Sequence, residues 1–262
     1  MGDVLIGTSG FSYEDWKGHF YSETIKKGDM LSYYAARFNT VEINSTYYAI
    51  PSPASFSRMI EKTPEDFTFV VKMNKDVTHS PEVSPSSVES YLKAIQPIIA
   101  ENRLGCILAQ YPWSYKLTSS NVARIRHLRE TMGDLPIVIE FRNIEWISDR
   151  AFEFLGKHDL GFCCVDEPQL QGLIPPIAMA TSRIGYMRFH GRNAAKWWKH
   201  DESWERYDYR YTADEMKEWI PKIKEISDKT EKTFVFFNNH YKGQAADNAQ
   251  EFTAMLEDSL SR

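Results

Sequence analysis

Ten polar residues interrupt short apolar runs of this chain: Glu42, Asn44, Lys72, Gln110, Glu140, Arg142, Asp166, Arg188, His190 and Asn238. Their types divide by chemistry. Glu42, Glu140 and Asp166 with His190 form a set able to pass protons, because a carboxylate beside an imidazole makes a general acid–base pair. Lys72, Arg142 and Arg188 are cations of the kind that hold phosphate or carboxylate oxygens. Asn44, Gln110, Asn238 and the adjacent Asn239 offer amide hydrogen bonds to hydroxyl or phosphate oxygens, although asparagine at a strand end is also a turn former.

Two other uses of the same residues compete with that one. The three acids and three bases balance, so they could form a closed ion network that does nothing but plug a fold. Against this, desolvating six charges stabilises poorly where aliphatic side chains would serve. Histidines also fall nearby, at His79, His190 and His240, and with Glu140 or Asp166 they would leave a divalent metal open. No local ligand spacing such as HxH or HExxH supports a metal, and no Walker loop or nucleophile elbow occurs.

The elements that must position these residues follow from periodicity. Eight β-rich runs, Val4–Ser9, Thr40–Thr46, Phe67–Asn74, Leu104–Tyr111, Pro136–Arg142, Gly161–Glu167, Ile184–Gly191 and Thr233–His240, alternate with helical patterns. Side chains alternate between the two faces of a strand. Val41 and Ile43 then face one way and Glu42 and Asn44 the other; Ile139 and Phe141 oppose Glu140 and Arg142; Met187 and Phe189 oppose Arg188 and His190. Lys72, Gln110, Asp166 and Asn238 take the same inward parity, all in the C-terminal halves of their strands. That is the end at which (β/α)8 barrels build their sites. A single (β/α)8 TIM-type barrel over residues 1–262 is the expected fold, and an open doubly wound sheet is disfavoured because no GxGxxG follows the first strand. Helix starts are expected at Ser52-Pro53 and at capping boxes Ser86…Glu89 and Thr212…Glu215, with a last helix over 243–258. Long connections follow the sixth strand (168–183) and the seventh (192–211), as lids or as solvated excursions.

Composition bounds the class. The chain has 262 residues and a formal charge of −5, with 7 Trp, 14 Tyr and 15 Phe. No apolar run reaches the roughly 18 residues of a membrane span. The first residues carry no basic stretch, and Cys106, Cys163 and Cys164 lie in apolar runs without metal or disulfide spacing, so a reducing cytoplasm is the expected compartment. The acidic balance argues against bulk nucleic-acid binding. Still, Lys196-Trp197-Trp198-Lys199-His200 through Trp204–Tyr211 interleaves rings with bases, as a surface that stacks on nucleobases or sugars does, or equally as a hydrophobic lid packed on the mouth would. The loop Gly10–Gly18, with Trp16, has the same aromatic character on the same face.

Taken together, several blocks resemble the DUF72 (YecE-like) family along essentially the whole chain. They are Ile6-Gly7-Thr8-Ser9-Gly10-Phe11-Ser12-Tyr13, Val41-Glu42-Ile43-Asn44-Ser45-Thr46-Tyr47-Tyr48, Phe69-Val70-Val71-Lys72, Gly105-Cys106-Ile107-Leu108-Ala109-Gln110-Tyr111-Pro112, Glu140-Phe141-Arg142 with Trp146, Arg188-Phe189-His190-Gly191-Arg192, and Phe236-Phe237-Asn238-Asn239. The resemblance implies a TIM barrel and brings no activity. Many relatives carry threonine where this chain has His240, which sets that residue aside as a catalytic candidate. In outline such barrels are similar to endonuclease IV-like and sugar-isomerase-like folds. The expected function is an enzyme acting on an anionic or polyhydroxylated small molecule. Glu140, His190, Glu42 and Asp166 are expected as catalytic groups. Lys72, Arg142, Arg188, Asn44, Gln110, Asn238, Asn239, Tyr47, Trp16 and Trp146 are expected to bind substrate. No resident metal and no nucleotide cofactor is assigned. The alternatives are a nucleic-acid-binding phosphodiesterase and a non-catalytic small-molecule sensor.

Overall fold

The computed structural model describes residues 2–80 and 84–260. Eight strands run β1 (Asp3–Thr8), β2 (Thr40–Ile43), β3 (Thr68–Lys72), β4 (Leu104–Gln110), β5 (Ile137–Glu140), β6 (Leu160–Asp166), β7 (Ile184–Phe189) and β8 (Lys232–Phe237), with helices between them. Each strand pairs in parallel with its neighbour, in the order β1-β8-β7-β6-β5-β4-β3-β2. The ring meets itself at β1 and β2 through a bridge between Ser9 and Glu42, where Gly10 N donates to Glu42 O at 2.8 Å. The architecture is the expected (β/α)8 TIM-type barrel, nearly closed.

The strands end earlier than the apolar runs suggest, because the last residues of each run leave the ladder to begin a loop. Asn44 is the N-cap of the turn Ser45–Tyr48, and Arg142 lies beyond the end of β5. Pro53 opens the helix Pro53–Ile60, and the Thr212–Glu215 capping box forms in full. The Ser86–Glu89 box does not. Pro85 already occupies the first turn of the helix Pro85–Ala100, so Ser86 lies inside it and pairs with Ser84 Oγ at 2.7 Å. The last helix spans Gln244–Leu260.

Outward-facing strand residues such as Val41, Ile139, Met187 and Phe189 are fully buried beneath the helices. Inside the barrel, Tyr186, Phe234 and Phe236 pack ring on ring, Phe236 level with Arg188. Gly105 makes room for them. It lies where the β3–β4 register shifts, and a Cβ there would stand 2.5 Å from Phe234 Cζ. Cys106, Cys163 and Cys164 are buried and unpaired with one another. The 168–183 connection carries no helix, whereas 192–211 contains the short turns Ala194–Lys196 and Glu205–Tyr207. Among the described residues no helix is long and apolar enough to cross a membrane.

Candidate active site

Beside the aromatic filling, strand parity delivers a layer of charge. Arg188, on β7, reaches across the barrel with one guanidinium nitrogen 2.6 Å from Glu42 Oε1 and the other 2.6 Å from Glu140 Oε2. Tyr186 donates to the second Glu42 oxygen at 2.6 Å. Glu140 Oε1 accepts from Arg142 at 2.7 Å and lies 3.2 Å from His190 Nε2. Arg142 continues to Glu167 Oε2 at 2.9 Å, whose other oxygen accepts from Ile174 N at 3.1 Å. Glu42, Glu140 and His190 are all 0% exposed.

The electrostatics follow from this chain of contacts. Burial alone would raise the Glu140 carboxyl, but Arg142, Arg188 and the His190 hydrogen bond hold it well below the usual carboxylate range. Burial would likewise disfavour the Arg188 charge, and Glu140 with Glu42 more than restores it. Burial and the neighbouring Arg142 push His190 well below its ordinary value, so its imidazole is neutral. The network fixes its tautomer. Asn238 Nδ2 can only donate, and it meets His190 Nδ1 at 3.0 Å, which leaves the proton on Nε2 toward Glu140.

Over this layer opens a cavity of about 230 Å³, lined by Tyr13, Asn44, Tyr47, Lys72, Arg142, Arg188, Tyr207, Asn238 and His240 among others. Three cations face it and no carboxylate does. Lys72 differs from its neighbours. Its Nζ donates to Gln110 Oε1 at 2.9 Å and lies 4.5 Å from the Tyr47 ring centre. Burial, then the nearby Arg188, brings this amine down to about 8. Buried atoms without a hydrogen-bond partner gather at the same wall: Asn44 Oδ1, Arg142 Nε, Arg188 Nε and His240 Nδ1. His240 is stacked on Tyr13 with ring centres 4.8 Å apart, and burial lowers its pKa. A wider cavity of about 560 Å³ lies among the outer helices, walled by Val77, Val88, Ala123 and Leu128; it lacks this convergence of polar groups.

The structure therefore gathers Glu42, Asn44, Lys72, Gln110, Glu140, Arg142, Arg188, His190, Asn238 and Tyr47 at the mouth, with Glu42, Glu140 and His190 beneath the cavity rather than on its wall. Four expected residues lie elsewhere. Asp166 faces outward, because the inward parity of β6 runs through Cys163 to Glu167. It accepts from Arg192 at 2.8 and 2.7 Å, from Tyr211 Oη at 2.7 Å and from Trp219 Nε1 at 2.7 Å. Asn239 bonds Tyr209 O and Asn248 outside the barrel. Trp16 and Trp146 are 0% exposed, their indole nitrogens donating to His240 O and Tyr115 O, so both brace loops instead of meeting a ligand. With Asp166 turned away, a cation held by Glu140, Asp166 and His190 is ruled out, and among the described residues no three acid, histidine or cysteine side chains converge as metal ligands. Glu167, Tyr186, Tyr13 and Tyr207 were missed. The 192–211 connection supplies Tyr207 to the cavity wall, and 168–183 supplies the backbone that caps Glu167. Asp166→Asn is expected to lose about 1–3 kcal/mol of stability, as one partner of a buried hydrogen-bonded set. Urea denaturation reads the loss as a lowered midpoint, and an unchanged midpoint would show that these contacts contribute nothing net.

Residues 5–262 match the family model described as "Protein of unknown function DUF72". The UPF0759 protein YunF of Bacillus subtilis (strain 168) is 31% identical over 270 residues, covering 97% of this chain and 95% of that protein. The crystal structure of a DUF72 family protein from Thermotoga maritima MSB8 superposes with a TM-score of 0.91 at 44% identity, over 97% of this chain and 99% of that one. A DUF72 family protein from Enterococcus faecalis V583 gives a TM-score of 0.86 at 28% identity, over 97% and 95% of the two chains.

Proposed function

The chain belongs to the DUF72 family, and from that premise and the geometry of the mouth we propose that it is an enzyme acting on a small molecule that carries a phosphate or carboxylate group. One observation carries the reading: Lys72, Arg142 and Arg188 line a single cavity to which no carboxylate contributes. The carboxylates that balance two of these cations do not line the cavity, so the arginines are clamped in place while each keeps an Nε without a hydrogen-bond partner. Preorganised cations of this kind bind an anion without a reorganisation cost at the moment of contact.

The other residues divide by position. Asn44, Gln110 and Asn238 offer amide groups to the neutral part of the substrate, and the rings of Tyr13, Tyr47 and Tyr207 flank it. His240, set aside on the family resemblance, is nevertheless the imidazole on the cavity wall, neutral and with an unpartnered Nδ1, and takes the role of proton carrier. Glu42, Glu140 and His190 are positioning residues. They touch the arginines and Asn238 rather than the cavity, and an ionised Glu140 whose two oxygens accept three contacts is a poor base.

Lys72→Met is the cleanest test, because among the described residues no carboxylate lies within ion-pair distance of Nζ and removal orphans no acid. Calorimetric titration with inorganic phosphate and with malonate should show binding to the wild type. Losing one charged hydrogen bond of about 1.5–3 kcal/mol should weaken it roughly 10–100-fold in the variant. A wild type that takes up neither anion, or a variant that binds as tightly as the wild type, overturns the assignment.

A further inference from the structure

Every other charged group of the mouth layer has a partner of opposite sign: Arg188 has two carboxylates, Arg142 has two, and Glu42, Glu140 and Glu167 have at least one guanidinium each. Lys72 has an amide oxygen and an aromatic face. Those contacts orient an amine without stabilising its charge as a carboxylate would. If the position served only to attract an anion, an arginine would do so with more hydrogen bonds and a permanent charge. A lysine that surrenders its proton readily serves a different chemistry. From this placement we propose that Lys72 is a catalytic residue whose amine condenses with the carbonyl carbon of the substrate, while Arg142 and Arg188 seat the substrate's anionic group. The substrate class is then an oxo acid or a phosphorylated aldehyde or ketone. The inference rests on the anion-binding reading above and narrows it.

The step balances with the groups present. The nitrogen lone pair forms the C–N bond and the carbonyl π pair moves to oxygen, which takes a proton. Loss of a nitrogen proton gives a neutral carbinolamine. Protonation of its hydroxyl releases water as the nitrogen pair forms the C=N bond, leaving a protonated imine; a lysine amine, one carbonyl and one proton yield an iminium and one water, with no oxidant or reductant. His240, with its free Nδ1 on the same wall, carries the protons. The resulting cation sits near Glu140 and Glu42, which favour positive charge on this nitrogen. The amine is brought down to about 8, so at neutral pH a fraction on the order of 100-fold larger than for a solvated lysine is unprotonated and nucleophilic.

The test is reductive trapping. The whole protein is incubated with pyruvate and sodium cyanoborohydride at pH 7, and adducts are weighed on the intact chain and located by peptide mapping. One adduct per chain at Lys72 is expected, forming about 100-fold faster than at the other lysines. Inorganic phosphate should compete with it, and acetone, which lacks the anionic group, should trap far more slowly. Lys72→Arg should take no adduct at this position. Trapping at Lys72 no faster than at surface lysines, in a protein that binds phosphate normally, overturns the imine step and leaves the anion site standing. Equal trapping of acetone and pyruvate, with no phosphate binding, overturns the anion site and the substrate class with it.

Discussion

Replacing Arg188 with methionine is expected to lower the unfolding free energy by about 3–5 kcal/mol, the cost of leaving a buried charge without its partner. Methionine fills much of the same volume, so packing loss is a minor part. The penalty arises because Glu42 and Glu140 are both 0% exposed and both lose a 2.6 Å contact to the same guanidinium. Urea denaturation at pH 7 reads it as a shifted midpoint with an unchanged slope. Adding Glu42→Gln and Glu140→Gln to Arg188→Met should restore more than half of the loss, since a neutral layer needs no counter-charge. A single variant that loses less than about 1 kcal/mol would show the network to be worth no more than a surface ion pair. Contacts in one network do not add, so the recovery, not the sum of single effects, is the quantity to compare.

A second large effect concerns pH. Burial raises the Glu167 carboxyl to about 7, against the pull of Arg142. An acid whose folded pKa exceeds its unfolded one binds protons more tightly in the folded state, so folding loses stability as pH rises between the two values and is flat outside them. For Glu167 the window runs from about 4.5 to about 7, and the integrated loss is about 3 kcal/mol. His190 acts in the opposite sense. Its folded pKa is depressed, so the unfolded state gains the extra proton and stability falls as pH drops below about 6.5. The two slopes partly cancel in the wild type between these limits. Glu167→Gln removes one of them. Its stability relative to the wild type should therefore grow by about 3 kcal/mol between pH 4 and pH 8, read as the difference between two urea series. A difference that stays level across that range would place the Glu167 carboxyl at an ordinary pKa.

Most of the charged layer was legible because a strand offers only two faces. Once Val41, Ile139 and Phe189 are assigned to the helices, Glu42, Glu140 and Arg188 have nowhere to go but inward. The rule failed where it had no anchor. β6 is buried along its whole length, both faces apolar, so nothing in the run decided between the adjacent acids Asp166 and Glu167. Only the count back to Cys163, which lies near Glu140 and Arg188, would have chosen Glu167. Aromatic residues failed for another reason. Trp16 and Trp146 share composition and loop position with Tyr13 and Tyr207, yet the first pair is wholly buried packing and the second lines the cavity. Ring type and spacing do not separate filler from wall, because both reward the same large apolar surface. The capping box at Ser86 failed locally, displaced by a proline one residue earlier.

The meeting of β1 and β2 has a consequence for the molecule as a machine. Elsewhere the ring is held by ladders several residues long; there it is fastened by Ser9 and Gly10 against Glu42. The same Glu42 grips Arg188 with its carboxylate, and Arg188 also lies 3.2 Å from Ser9 Oγ. One guanidinium thus acts as the tongue of a buckle, touching both edges of the ring's weakest join. The anion proposed above would therefore share this guanidinium with the carboxylate that fastens the join.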